Sequence, residues 1–299
     1  MSTEKTTPVD WVLEPRKRRQ IRWRRMLLLV PAILILGAFL IAGIFAPLLT
    51  PYDPREIVLL DRLQPPAWDT AGSWDHVLGT DQLGRDILAR IFYGARVSLI
   101  VVAVTVPASA GLGTLVGLLA GWRLGLTDKL LMRFVDLQLA LPAILFAILI
   151  ASVFGASLRN VIIVIVVWSW AGYARLTRGD VLSLREQEFV VAARSMGASD
   201  TRILLRHLLP NLLNMIVILA TLEVAGVILI EAALSFLGIG VAAGTPSWGA
   251  MISEGRNFMK LAWWLIWMPG IAIFLVSLTG NLMGDWLRDA LDPRLRNLQ

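Results

Sequence analysis

Long uncharged apolar runs are the feature that most constrains what this chain can fold into. Residues 26–52 contain no Asp, Glu, Lys or Arg, and neither do residues 97–122. A helix of about 20 apolar residues crosses the roughly 30 Å hydrocarbon core of a bilayer. Only 17% of the 299 residues are charged, against about 25% in an ordinary soluble domain. The sequence therefore predicts an all-α integral membrane protein.

Charged and proline-rich stretches divide the chain into five segments. We expect a basic cytoplasmic tail (1–25), a first transmembrane span (26–52), an extracytoplasmic segment (53–96), a membrane core (97–284) and a cytoplasmic tail (285–299). The first span is too long for the apolar region of a secretory signal, which has about 7–15 residues. We therefore interpret it as a membrane anchor.

The extracytoplasmic segment contains one stretch with helical spacing. Leu83, Ile87, Leu88 and Ile91 fall on one face over residues 82–93, which predicts a short helix lying along the membrane surface. Its apolar face would contact either the membrane or, as we favour, the protein itself.

The membrane core is predicted to hold five further spans. They cover residues 97–122, about 134–154, 160–174, about 212–236 and 261–284, the last broken at Pro269. Arg159 and Arg175 would reach the two interfaces from the ends of the short fourth span. Gly113, Gly117 and Gly121 recur every four residues and so line one face of the second span. Such a face lets a neighbouring helix approach closely.

The distribution of basic residues orients these six spans. With the N-terminus inside, the cytoplasmic segments hold 20 Lys and Arg and the outer segments hold 8. Acidic residues differ less, at 11 and 8. This is the asymmetry of the positive-inside rule, and it predicts that both termini are cytoplasmic.

A charged stretch, residues 183–210, interrupts the core between the fourth and fifth spans and would lie in the cytoplasm. Ser183 and Glu186 form a capping-box pattern, which predicts a helix starting there and ending at Gly197. Ser199 or Asp200 would cap a second short helix, and Pro210 would allow the turn into the fifth span. Apolar residues along both helices form an exposed patch of the kind that binds another protein.

This stretch resembles the cytoplasmic motif of bacterial ABC-importer permeases: Glu-Ala-Ala, three residues, Gly, nine residues, Ile, any residue, Leu-Pro. The matching positions are Val191, Ala192, Ala193, Gly197, His207, Leu209 and Pro210. Val191 stands where the family has glutamate, and His207 where it has isoleucine. In the family this motif couples the permease to its ATPase.

Other segments resemble the dipeptide/oligopeptide branch of that family, specifically the second of its two permease subunits. These are residues 78–86, 93–99, 172–175, 235–238, 246–249 and 288–294. The resemblance implies a permease that pairs with a homologous permease, two cytoplasmic ATPase subunits and an extracytoplasmic substrate-binding protein. It also implies alternating access driven by ATP. Peptides are the substrates that the resemblance favours, with nickel, glutathione, sugars or opines as alternatives within the branch. The chain itself has no glycine-rich phosphate-binding loop.

Two carboxylates interrupt the fifth span. Glu223 lies midway along it, where a charge usually faces a cavity or a partner. It would either line the substrate pathway or act as a strut between helices. Glu231 is a second pathway candidate, although its place nearer the outer surface fits a gate or a packing role better.

The remaining polar residues predict no cofactor, metal or nucleic-acid site. The chain has no cysteine, and its two histidines, His76 and His207, are isolated. Its net charge of +6 is typical of basic residues that flank spans and meet anionic lipid. Two other classes remain as alternatives. A secondary transporter or channel would have no use for an ATPase-docking stretch, and a membrane enzyme would need a cluster of catalytic side chains.

Overall fold

The computed structural model describes residues 15–291, and the side chains of residues 29–290. Within that range all regular structure is helical, apart from an isolated antiparallel bridge between Thr80 and Asp86. The α-helices in this range are Pro15–Leu49 (α1), Ile87–Arg123 (α2), Gly125–Ala140 (α3), Ala143–Phe154 (α4), Leu158–Leu184 (α5), Glu188–Ser195 (α6), Asp200–Ile203 (α7), Leu209–Phe236 (α8), Trp248–Gly255 (α9) and Trp264–Leu291 (α10). The predicted tails lie partly outside the described residues, at 1–14 and 292–299.

Within the described residues, five helical stretches are long and apolar enough to cross a membrane. They are Leu29–Leu49, Ile87–Arg123, Leu158–Leu184, Asp200–Phe236 and Trp264–Ala290. The consecutive helices α3 and α4 also pass as a pair, but they are bent by 84°. The described residues thus contain five candidate spans, or six if the bent pair counts as one.

The bend between α3 and α4 corrects the prediction of an uninterrupted span over residues 134–154. Leu141 is extended, with φ −83° and ψ 131°, and Pro142 immediately precedes the next helix. A proline ring disfavours helical backbone in the residue before it. The helix therefore stops at Ala140 and restarts in a new direction.

The start of α2 shows that the predicted separate surface helix was wrong. Asp86 caps α2 by accepting a hydrogen bond from the Ala89 N–H, and the helix then runs unbroken for 37 residues. Ile87 is only 1% exposed. The helical spacing therefore belonged to the first turns of the second span, and its apolar side packs on protein, as we favoured.

The glycine stripe of α2 packs against α5, as predicted. A Cβ atom built at Gly113 would lie 2.5 Å from the Tyr173 Cβ, and one at Gly121 would lie 2.8 Å from the Val181 Cβ. Real Cβ atoms do not approach so closely. The two helices can be this close only because the stripe carries no side chains.

The helix α4 has the least cover of the long apolar elements. Of its twelve residues only Ala147 is buried, and it packs against α5 beside α8. Leu145, Leu149 and Val153 are each about 60–67% exposed. This helix therefore presents most of its apolar surface to lipid or to another protein.

The stretch after α5 differs from the predicted pair of short helices. The fourth span does not end near residue 174 but continues as α5 to Leu184, so Ser183 lies inside a helix rather than capping one. Two contacts extend α5: Val181 packs on Gly121, and the Arg185 guanidinium reaches the Gly121 and Trp122 carbonyls. Tertiary packing therefore outweighs the local capping signal.

No turn occurs at Pro210, because helix continues from Asp200 to Phe236. A π-helical turn, Leu204–Leu208, joins α7 to α8, and the Leu209 N–H bonds the Leu204 carbonyl five residues back. Proline has no N–H to donate and clashes with the carbonyl four residues earlier. The wider π turn accommodates the ring without breaking the helix. Pro269 likewise lies within continuous helix in α10, contrary to the predicted break.

Candidate functional site

Gly197 ends α6 with a positive φ of 78°. The Gly197 N–H bonds the Arg194 carbonyl, and the Ala198 N–H bonds the Ala193 carbonyl five residues back. These two bonds form a Schellman motif, in which glycine supplies the left-handed conformation. The predicted helix end is therefore confirmed. Ser199 caps the next helix, and its hydroxyl accepts from the Arg202 N–H.

One face of α6 is buried in the protein. Val190 and Ala193 are 0% and 3% exposed and share a cluster with Ile203 and Leu208. The Arg194 guanidinium also lies over the Trp122 ring, 4.9 Å from its centroid. These contacts hold α6 against the ends of α2 and α5. The motif residue Ala193 therefore points into the protein.

The outward side of α6 exposes apolar residues beside the polar Glu188 and Ser195. Phe189 is 39% exposed, Val191 is 53% and Met196 is 82%, and Ala192 lies exposed among them. Isolated exposed apolar residues are ordinary, but four within residues 189–196 form a patch suited to binding a partner. Val191, which replaces the family's glutamate, belongs to this patch.

The last three motif residues lie on the π turn and the start of α8. His207 and Leu209 are half-buried, whereas Pro210 is exposed. The side-chain amide of Asn211 donates to the His207 carbonyl at 2.6 Å. These motif residues therefore shape the joint between α7 and α8.

In the described residues no group of three His, Cys, Asp or Glu side chains is arranged to hold a metal ion.

Glu223, the first of the two carboxylates in α8, pairs with a tyrosine of α5. The Tyr173 hydroxyl donates to the Glu223 carboxylate. Tyr173 is 5% exposed, but Glu223 is only half-buried. The pair thus joins α5 to α8 and leaves part of the carboxylate accessible.

Glu231, two turns further along α8, is 0% exposed. It accepts hydrogen bonds from the Ser98 hydroxyl at 3.1 Å and the Ser235 hydroxyl at 2.9 Å. A buried carboxylate needs such donors to offset the loss of water. Because this side chain is enclosed within one chain, the geometry favours the packing role for Glu231 over the pathway role.

Two ion pairs join α3 to α5. Asp128 accepts two bonds from Arg178, at 2.5 and 2.6 Å. Asp136 accepts from Arg175 at 2.5 Å, and both of these side chains are more than half exposed. The first pair is bidentate and well shielded. The Asp128–Arg178 ion pair therefore holds α3 against α5 more firmly than the Asp136–Arg175 ion pair does.

A network of four charged residues at the start of α2 was missed from the sequence. Asp81 accepts from Arg85 at 2.6 Å and from Arg90 at 2.5 Å. Glu254 of α9 accepts from the same two arginines, at 2.6 and 2.9 Å. Asp81 and Arg90 are each 1% exposed. We call this group the ion cluster, and it links the segment before α2 to α9.

The segment before α2, residues 50–86, forms an ordered cap without regular helix apart from one 3-10 turn. His76 lies 3.0 Å from the Asp86 carboxylate that caps α2, and it contacts the Tyr52 ring. The Trp264 indole donates to the Thr80 carbonyl at 3.0 Å. The only signal in the sequence was the density of charges in residues 81–90. Their pairing with Glu254, more than 160 residues away, could not be seen there.

The chain is similar to proteins of one family. Residues 113–297 match the family described as "Binding-protein-dependent transport system inner membrane component". A di/tripeptide transport system permease protein of Pseudomonas aeruginosa is 42% identical over 89% of this chain and 88% of its own length. A dipeptide permease protein of Alkalihalophilus pseudofirmus is 43% identical over 90% and 87%.

Two further similarities extend this result. A glutathione transport system permease protein of Escherichia coli is 42% identical over 96% of this chain and 93% of its own length. Among solved structures, the inward-facing MetNI methionine ABC transporter superposes with a TM-score of 0.54 at 17% identity. It covers 68% of this chain and 96% of its own, and at this identity the likeness concerns the fold alone.

Proposed function

The chain belongs to the family of binding-protein-dependent transport system inner membrane components, and from this premise we propose how it works within its complex. It is the permease subunit of a bacterial ABC importer and lies in the inner membrane. It is not an enzyme, because ATP hydrolysis belongs to partner ATPase subunits.

The exposed face of α6 is the observation that carries the proposal. An apolar surface is exposed there, and the buried side of α6 packs in the protein core through Val190 and Ala193. The exposed residues are Phe189, Val191, Ala192 and Met196. A cytoplasmic ATPase subunit seated on this face would move α6 as a rigid body. Because α6 packs against α2 and α5, the motion would reach the spans. Ala193 supports this surface by packing in the core, and Gly197 supports it by ending the helix.

We propose the orientation that the basic residues predict. The termini and α6 face the cytoplasm, and the cap of residues 50–86 faces the outside together with α9. The bent pair α3 and α4 then counts as a sixth span. An extracytoplasmic substrate-binding protein would meet the cap, and two ATPase subunits would meet α6 and its counterpart on a homologous permease.

The homologous permease is proposed to cover α4. This helix is almost wholly apolar and largely uncovered within one chain, which suits a helix–helix interface between subunits. Since the chain has no cysteine, single cysteines can test this contact. Leu149→Cys, labelled with a thiol-reactive photo-crosslinker, should cross-link to the partner permease, whereas Leu34→Cys on α1, with a similar exposure of 67%, should not. Equal cross-linking of both would contradict the assignment.

Short peptides are the proposed substrates. Relatives named for di- and tripeptide, dipeptide and glutathione transport are all about equally similar to this chain, and glutathione is itself a peptide. We propose that the half-exposed Glu223 carboxylate lies on the pathway between the two permeases. There it would offer a negative group to the peptide amino terminus.

Reconstitution tests the function directly. The chain, the homologous permease and the ATPase pair would be assembled in proteoliposomes with the binding protein. Labelled dipeptides, tripeptides and glutathione would then be offered with and without ATP. We expect ATP-dependent uptake of at least one of these peptides. Uptake by this chain alone, without ATPase subunits, would contradict the function.

A further inference from the structure

The cap carries a short loop that exposes two tryptophans. We name residues 67–77 the tryptophan loop. Its ends are joined by the Ala67 N–H, which donates to the Val77 carbonyl at 3.1 Å. Trp68 is 59% exposed and Trp74 is 80% exposed. Large exposed indoles outside a membrane span are unusual, because water contact is unfavourable for so much apolar surface.

The tryptophan loop is ordered by its own hydrogen bonds. The Gly72 N–H bonds the Asp69 carbonyl at 3.0 Å, and the Ser73 hydroxyl donates to the Asp75 carboxylate at 2.9 Å. A Cβ atom at Gly72 would collide with the Pro66 backbone, so the glycine allows the loop to close. Compact loops of this kind, whose ends meet, are frequently functional. These hydrogen bonds fix the loop backbone and so keep both indoles at the surface.

The charge of the loop distinguishes between possible occupants. Residues 67–77 contain two aspartates, Asp69 and Asp75, and no Lys or Arg. Both aspartates are exposed beside the indoles. Anionic lipid headgroups attract basic segments and repel acidic ones, which disfavours the membrane surface. A protein face that combines basic side chains with an apolar recess matches this loop in both respects.

The loop is also connected rigidly to the membrane helices. His76, at its base, contacts the Asp86 carboxylate that caps α2. The ion cluster then joins the same segment to α9 through Glu254. In turn, α9 packs tightly on α8, where a Cβ atom at Gly249 would collide with the Ala232 backbone. A force on the tryptophan loop is therefore applied to α2 and α8 together.

We infer that the tryptophan loop is a docking site for the extracytoplasmic substrate-binding protein, on a lobe that presents basic residues around an apolar recess. This inference rests on the proposed function. Trp68 and Trp74 are the apolar anchors, and Asp69 and Asp75 supply the attraction. Binding there pulls on the cap, and the ion cluster conveys the load to α9 and α8.

A titration tests the docking site. The reconstituted complex is titrated with the binding protein whose addition stimulates ATP hydrolysis by the wild-type complex. In Trp68→Ser/Trp74→Ser the concentration for half-maximal stimulation should rise about tenfold or more, the effect of truncating anchor side chains at an interface. In Asp69→Asn/Asp75→Asn, which keeps the hydrogen-bond acceptors, it should rise less and lose much of its dependence on salt.

Trp267→Ser is the matched control, because it removes an indole that is 62% exposed but lies in α10. It should titrate as wild type. An equal shift in this variant, or no shift in the loop variants, would overturn the docking site. Quenching of the loop tryptophans by brominated lipid would also overturn it, because it would place the loop in the membrane. So would loss of the homologous permease when the loop variants are purified, because it would assign the loop to the contact between permeases. If binding protein does not stimulate the wild-type complex, the proposed function fails and not the docking site alone.

Discussion

At the scale of single residues, backbone conformation alone explains the glycine at position 197. Its φ is +78°, and nothing lies within 4 Å of a Cβ atom built there. A substitution would therefore act through strain and not through a clash. For residues other than glycine the left-handed region costs roughly 1–2 kcal/mol, with asparagine the best tolerated.

Gly197→Val should uncouple ATP hydrolysis from transport. The strained residue would unwind the end of α6 and displace the exposed patch, so we expect stimulated uptake to be lost while the chain still inserts in the membrane. Gly197→Asn should retain most of the uptake. Gly179→Ala in α5 is the control, because that glycine has ordinary helical geometry and open space around it. Equal uptake by the Val and Asn variants would contradict this role for Gly197.

Glu223 permits a test of pathway against strut. Glu223→Gln can still accept a bond from Tyr173 but carries no charge, whereas Tyr173→Phe removes the bond and keeps the charge. If Glu223 attracts the peptide amino terminus, the Gln variant should lower uptake of free peptides several-fold and spare N-acetylated ones, and the Phe variant should change uptake little. A strut would give the reverse, with the larger loss in Tyr173→Phe. Uptake in proteoliposomes measures both.

At the scale of elements, the two faces of α6 have different roles. Ala193 is 3% exposed and belongs to the core, whereas Met196 is 82% exposed. The motif residues therefore do not form one continuous contact with the ATPase. A change on the inner face should affect folding, and a change on the outer face should affect docking.

Substitutions on the two faces should therefore give different defects. Met196→Glu should leave the thermal stability of the purified permease pair unchanged and reduce its recovery with the ATPase subunits. Ala193→Arg should instead lower that stability, since a buried arginine without a partner is strongly unfavourable. Thr201→Glu, exposed on α7 and outside the apolar patch, is the control for added charge. Normal ATPase recovery with Met196→Glu would exclude the patch as the docking surface.

Elements were predictable where the signal was local or periodic. Gly197 ends α6 because glycine readily adopts the left-handed conformation that this helix end needs. Gly113, Gly117 and Gly121 contact another helix because their four-residue spacing places them on one face of α2. Ser183 failed as a cap because contacts with α2 extend α5 past it. The turn predicted at Pro210 does not form, because the π turn before it leaves room for the proline ring within continuous helix. The extension of α5 depends on a neighbour distant in sequence, as does the pairing of Arg85 and Arg90 with Glu254.

At the scale of the whole molecule, orientation in the membrane is the property on which the other roles depend. If the cap faces outside, the tryptophan loop can meet a binding protein and α6 can meet an ATPase. Reversal would abolish both. The basic residues predict this orientation by their number, and the relatives' shared family places the chain in the inner membrane.

Single cysteines test the orientation, because the chain has none of its own. Ala71 and Lys129 are both exposed, on the tryptophan loop and on α3, and neither belongs to the α6 patch. In intact spheroplasts, a membrane-impermeant thiol reagent should label Ala71→Cys at once and should label Lys129→Cys only after permeabilisation. The opposite pattern would place α6 outside the cell, where no ATP is available, and would contradict the coupling mechanism together with the docking site on the cap.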